Sequence, residues 1–249
     1  MTKTILILGS GPAAVQAEDW PADPYDAIVA INNAWRIRTD WTHLIHPEDF
    51  PQERHPAAVN PDQNVITAQD YVPHQNRLGG FVYAGGTMAF TAGYWALSAL
   101  KPDVIAFFGC DMVYPKSGQT HFYGSGAADP LRADVSLRSL EAKAARLMLM
   151  AAHAGCRCVN LSQDDSRLVF PRARFDAPRA QTPAVTLNHP AYRAALRMEA
   201  ELGYMVPSGR YWESKMSFDL KKIDALDMLW RYALQESMAP ENVKRRAIV

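Results

Sequence analysis

The chain has 249 residues, enough for one substantial core with a small appended unit and too few for two full enzyme domains. Its 26 lysines and arginines balance 26 aspartates and glutamates, so it lacks the electrostatic footprint that duplex nucleic acid or an anionic membrane demands, and a small-molecule partner is expected. Three cysteines, Cys110, Cys156 and Cys158, are too few for a disulfide framework; the last two would lie on one face of a strand without bridge geometry, and a reducing, cytoplasmic location is expected.

Residues 4–8 form a short, continuous, β-branched apolar run, the signature of a strand buried on both faces and hence of a parallel sheet. The run breaks at Gly9, which suits a strand and not a signal peptide or spanning helix, and no other segment approaches membrane length. Pro12 fits a first helical turn that residues 13–19 continue and Pro21 stops. Residues 27–31 predict a second buried strand and 41–46 a third. Between Pro47 and Gly80, five prolines and scattered charge predict mostly loop, with a minor strand at Val65-Ile66-Thr67.

Gly85-Gly86-Thr87 supplies a turn and an N-cap for a helix over 88–100 that is apolar nearly all round. The most hydrophobic strand, 104–108, then runs into Gly109-Cys110-Asp111. Residues 112–134 are polar and glycine-rich without helical or strand periodicity, and read as a mobile lid. Leu137, Leu140, Ala144, Leu147 and Ala151 give one apolar face to a helix over 135–154, and 156–160 closes the pattern as a strand. Strands alternating with helices imply an α/β fold: a doubly wound, mostly parallel Rossmann-like sheet. The division expected is a nucleotide-binding domain over 1–162 and a helical C-terminal extension over 163–249, the latter with helices near 190–203 and 216–234.

The first candidate site is Gly9-Ser10-Gly11-Pro12. It formally matches the G-x-G-x-x-A fingerprint, in which the N–H groups of Ser10, Gly11 and Ala13 would meet phosphate. The helix cut short by Pro21 and the absence of an acidic residue after the second strand speak against NAD or FAD. Asn32 and Asn33 end that strand, at the same sheet edge, where amides could read a base or ribose or simply cap a turn. Asp111 stands at the carboxyl end of the central strand, where open α/β sheets bind ligands. His43 and His46 would point to opposite faces of a strand, and neither Asp164-Asp165 nor Glu48-Asp49 supplies an Asp-x-Asp motif, so no metal is expected.

Gly9-Ser-Gly-Pro12, Asn32-Asn33, Gly86-Thr87 before a buried helix, and Phe108-Gly-Cys-Asp111 followed by Tyr114 and Gly118 resemble, in order and spacing, the bacterial sialyltransferases that decorate lipooligosaccharide. The resemblance covers roughly the first 160 residues. It implies a metal-independent transferase of cell-surface polysaccharide biosynthesis, with no cofactor beyond a nucleotide-sugar donor of CMP type and with a glycan acceptor. The glycine-proline loop and asparagines would hold the nucleotide, and two lid tyrosines would stabilise the departing phosphate. Tyr114 matches the first of these; the second falls near His121, with Tyr123 two residues on. Where that family carries its general-base histidine this sequence has Leu131-Arg-Ala-Asp134, which leaves His121 or Asp134 as the base. The same Gly-x-Gly-Pro start and Gly-x-Asp also resemble 6-hydroxymethylpterin pyrophosphokinases, which implies ATP and magnesium. A non-catalytic nucleotide-binding protein is the third alternative, and homo-oligomerisation stays open.

Overall fold

The computed structural model describes residues 2–115, 117–126, 131–179 and 185–238. Six strands, β1 (Thr4–Leu8), β2 (Ala27–Ile31), β3 (His43–Ile45), β4 (Asn64–Ile66), β5 (Val104–Phe108) and β6 (Arg157–Asn160), pair in parallel in the order β4-β3-β2-β1-β5-β6. Every residue of β1, β2 and β5 is buried, which is why these strands read as unbroken apolar runs. Ile5 and Ile7 face one side of the sheet with Val29 and Phe107. Leu6 and Leu8 face the other with Ile28 and Phe108. The order reverses beside β1, since β2 to β4 extend one way and β5 and β6 the other. This is a doubly wound Rossmann-like sheet, and its switch point lies between β1 and β5.

The helices are α1 (Ala68–Arg77), α2 (Phe81–Ala84), α3 (Met88–Trp95), α4 (Leu140–His153), α5 (His189–Leu202) and α6 (Leu220–Met238). The expected first helix is a 3-10 helix, Pro12–Asp19, packed on the second face through Ala14 and Ala17. Thr87 caps α3, Ser139 caps α4 and Asn188 caps α5, each accepting a backbone N–H on its side chain. A π-helical turn, Ala96–Leu100, extends α3, and Lys101 ends it in the left-handed conformation (φ 48°).

One difference from expectation is α1, in a stretch that reads as loop. Thr67 and Asp70 form a reciprocal capping box there, and α1 buries Tyr71 and Gln75. Packing and the cap outweigh the hydrogen bond that Pro73 removes from the second turn.

Helix α6 packs against both α4 and α5, and its Ile223, Leu226 and Trp230 enter the same cluster as Ile5 and Phe107. Buried ion pairs tie the three together. The Arg146 guanidinium donates to both Glu199 carboxylate oxygens (2.6 and 2.8 Å), Trp230 Nε1 donates to Glu199 Oε1 (2.8 Å), and Lys143 Nζ donates to Asp227 Oδ1 (2.7 Å). No described helix is long and apolar enough to cross a membrane. Lys116 and residues 127–130 of the expected lid, and 180–184 and 239–249 of the expected extension, lie outside the described residues.

Candidate functional site

Leu8 and Phe108 pair in register, so Gly9 and Gly109 leave the sheet side by side. Gly9 N–H donates to Phe108 O (2.8 Å) and Gly11 N–H to Gly109 O (2.9 Å). A Cβ on Gly9 would sit 2.3 Å from Gly109 O, and one on Gly109, at φ 68°, 2.8 Å from Ala14 Cβ. The two glycines are what allow the loops after β1 and β5 to touch. That contact consumes the Gly11 N–H, which therefore does not join Ser10 and Ala13 as a phosphate donor. Pro12 has no N–H, so Ser10 and Ala13 are the loop's remaining donors.

The structure separates the two asparagines. Asn32 lines the cleft above this loop at φ 53°, with its Oδ1 buried and without a partner among the described residues. A left-handed residue with an orphaned carbonyl is costly, and such outliers gather where ligands bind. Asn33 is only 2 % exposed and lies outside the cleft lining.

Residues 120–126 form a small hairpin over the glycine loop. His121 and Gly124 exchange backbone bonds, and Phe122 N–H donates to Ser10 O (3.1 Å) while its ring packs on the core of the second face. The hairpin brings His121 against Tyr123 (ring centroids 5.1 Å apart, stacked) and Tyr114 (6.1 Å). Thr120 Oγ1, which accepts from Gly126 N–H (2.8 Å), is hydrogen-bonded to His121 Nδ1 (2.9 Å) and orients the ring.

Asp111 follows Cys110 at the end of β5, and Asn160, at the end of the neighbouring strand, donates from Nδ2 to its Oδ1 (3.2 Å). Burial, with the Asp111 charge beside it, pushes the Cys110 thiol far up, so it is no thiolate nucleophile. Gly86 and Thr87 line the opposite wall. Gly86 N–H donates to Ser136 Oγ (2.9 Å) and Gly86 O accepts from Arg132 Nη2 (3.0 Å), while the Thr87 hydroxyl caps α3.

These segments bound one cleft of about 1070 Å³, lined by Gly9, Ser10, Gly11, Pro12, Asn32, Gly86, Thr87, Asp111, Tyr114, His121 and Tyr123. Several residues of its wall carry no sequence signal. Tyr211 and Trp212 come from a short turn before α6, and Arg132 from the stem of the expected lid. Six acidic residues, Glu48, Asp49, Asp111, Asp134, Asp164 and Asp165, share the lining. Each acidic pair is unremarkable alone, and only the fold gathers them. Among the described residues no group of three His, Cys, Asp or Glu side chains is arranged to hold a metal ion. His43 packs on Trp95, and His46, bonded to Pro47 O, packs against Phe50 and His55.

Asp134 accepts from Ser136 Oγ (2.6 Å), Ser136 N–H (2.7 Å) and Tyr211 Oη (2.8 Å). Burial pulls its carboxyl upward, but these bonds and the Arg132 charge outweigh that and hold it below the usual aspartate range. A carboxylate so held is a weak base. Of the two candidate bases, His121 is the better placed. Comparison with family models, with curated proteins and with solved structures finds no match to the chain.

Proposed function

We propose that the chain is a sialyltransferase-like glycosyltransferase, moving a sugar from a CMP-type nucleotide-sugar to a glycan hydroxyl. The observation that carries this reading is the meeting of His121, Tyr114 and Tyr123 in the cleft that the glycine loop lines, on a hairpin bonded to Ser10 of that loop. Donor phosphate lies against the N–H groups of Ser10 and Ala13, with Asn32 Oδ1 accepting from the nucleoside. The acceptor oxygen bonds to the anomeric carbon as the bond from that carbon to the phosphate oxygen breaks. His121 Nε2 takes the hydroxyl proton, and the electron pair leaves on the nucleoside monophosphate, to which the Tyr114 and Tyr123 hydroxyls donate.

A second reading, magnesium-dependent phosphoryl transfer of the pterin pyrophosphokinase kind, draws support from Asp111, Asp164 and Asp165 in the same lining. A thermal-shift comparison separates the two, because a ligand that binds only the native state raises its apparent stability. CMP and CMP-sialic acid are expected to raise the melting midpoint equally with and without EDTA. A response confined to ATP with magnesium, abolished by EDTA, overturns the transferase reading in favour of the second. No response to any nucleotide overturns both.

A further inference from the structure

Independently of the transferase reading, we propose that the outer face of α6 is a self-association surface, on which a second copy of the chain lays the same helix antiparallel about a two-fold axis at Met228. Helix α6 buries Ile223, Leu226, Trp230, Ala233 and Leu234 in the core, yet its opposite side is not the polar face that a helix bordering water carries. Met228 is 65 % and Tyr232 51 % exposed, and Ala225, one turn before Met228, is half-buried. Lys221, Ala225, Met228, Tyr232 and Gln235 recur at alternating four- and three-residue intervals, which sets them in one row along the helix. The row is apolar at its centre and polar at each end, the core-and-rim pattern of an interface, and it reads the same in both directions.

A surface that meets its own copy across a two-fold axis must complement itself in reverse order. Turning the row about Met228 sets Tyr232 over the second copy's Ala225, a large side chain on a small one, with the aliphatic stem of Lys221 along the opposing Tyr232 ring. The charges beside the row agree. Asp224 lies one turn before Met228 and Arg231 one turn after it, seven residues apart and so on the same flank. The antiparallel arrangement therefore brings Asp224 of each copy to Arg231 of the other, whereas a parallel one opposes like charges at both positions. Arg138 already donates to Asp224 Oδ2 (2.6 Å), and a carboxylate has acceptor positions enough for a second guanidinium. Mixed charge on this flank suits a second copy better than an anionic lipid surface, which attracts Arg231 and repels Asp224.

The test is sedimentation velocity of the full chain across the micromolar concentration range, where a single helical seam, smaller than a standard interface, is expected to associate. The expected result is a monomer–dimer equilibrium that Met228→Glu weakens about tenfold or more. Asp224→Lys and Arg231→Glu should each be monomeric under the same conditions, since each sets like charges together twice in a dimer. An equimolar mixture of these two variants should dimerise again, because the mixed dimer pairs the two introduced charges with each other and keeps one native pair. Melting midpoints close to the parent's show that the variants are folded. Met228→Glu and Tyr232→Glu alter only exposed side chains and carry the test if a charge variant loses its fold. A chain that is monomeric throughout overturns the proposal, as does a dimer that survives Met228→Glu or one that the folded mixture does not restore. Flotation of a monomeric chain with vesicles of phosphatidylglycerol and phosphatidylcholine gives the face to a membrane instead and overturns it too.

Discussion

At Gly9 the difference between a hydrogen atom and a methyl group decides whether two loops can touch, because an added Cβ meets the Gly109 carbonyl at 2.3 Å. Gly9→Ala should cost about 1–3 kcal/mol of stability, as overpacking against an immovable backbone does, and should flatten any nucleotide-induced rise in melting midpoint. Gly11→Ala, whose nearest neighbour would be 3.0 Å away, should cost less. Denaturant unfolding of the two variants checks the order. His121 tests the chemistry instead of the frame. With its Nδ1 fixed by Thr120, His121→Ala is expected to lower kcat by about 10²–10⁴-fold while donor affinity is nearly kept. Steady-state kinetics with CMP-sialic acid and lactose would show it, and an equal loss in donor affinity would make His121 a binding residue only.

Among elements, the stem after the hairpin is fastened by Asp134, and this fastening has a pH signature. Its carboxyl is held below the ordinary aspartate value of about 3.9, so its contribution to stability is fully present above that value and is lost as pH falls through the lower, folded value. Asp134→Asn should therefore destabilise the protein clearly at pH 7, and its difference from the parent in denaturant unfolding should shrink progressively as pH falls below about 3.9. The joint between α4 and α6 behaves differently. Asp227→Ala leaves the Lys143 ammonium buried without its partner and should cost about 3–5 kcal/mol. Lys143→Met with Asp227→Leu, which removes both charges, should recover most of that loss. A double variant as unstable as the single one would show that the pair is worth more than the apolar packing that replaces it.

For the molecule as a whole, Trp230 on α6 and Phe107 on β5 belong to one hydrophobic cluster, and buried ion pairs cross between α4 and both C-terminal helices. Residues 189–238 are therefore expected to unfold with the sheet in a single transition. Urea curves followed by tryptophan fluorescence and by far-ultraviolet circular dichroism should coincide. A separate early transition reported by the helices alone would support a division near residue 162.

The strands and the fold class were legible because each central strand is buried on both faces and so is written as a continuous apolar run ending in glycine or asparagine. Gly9, Asn32 and Asp111 were legible as site candidates for the same reason, since a strand's carboxyl end is marked by the residue that breaks its pattern. Helix α1 was not, because Pro73 within it and the prolines before it mimic a loop, and its stability comes from a capping box and from Tyr71 packing inward. Nor could the sequence tell which asparagine enters the cleft, or that Gly11 spends its N–H on Gly109, because both depend on backbone dihedrals and on which strand lies beside β1. The acidic lining and the Trp212 wall join residues as far apart in the chain as Glu48 and Arg210, and no local pattern encodes such a meeting. The sequence alone determined the central strands and the fold class; the tertiary structure decided where the strand order reverses and what faces that place, because only packing brings distant segments to one cleft.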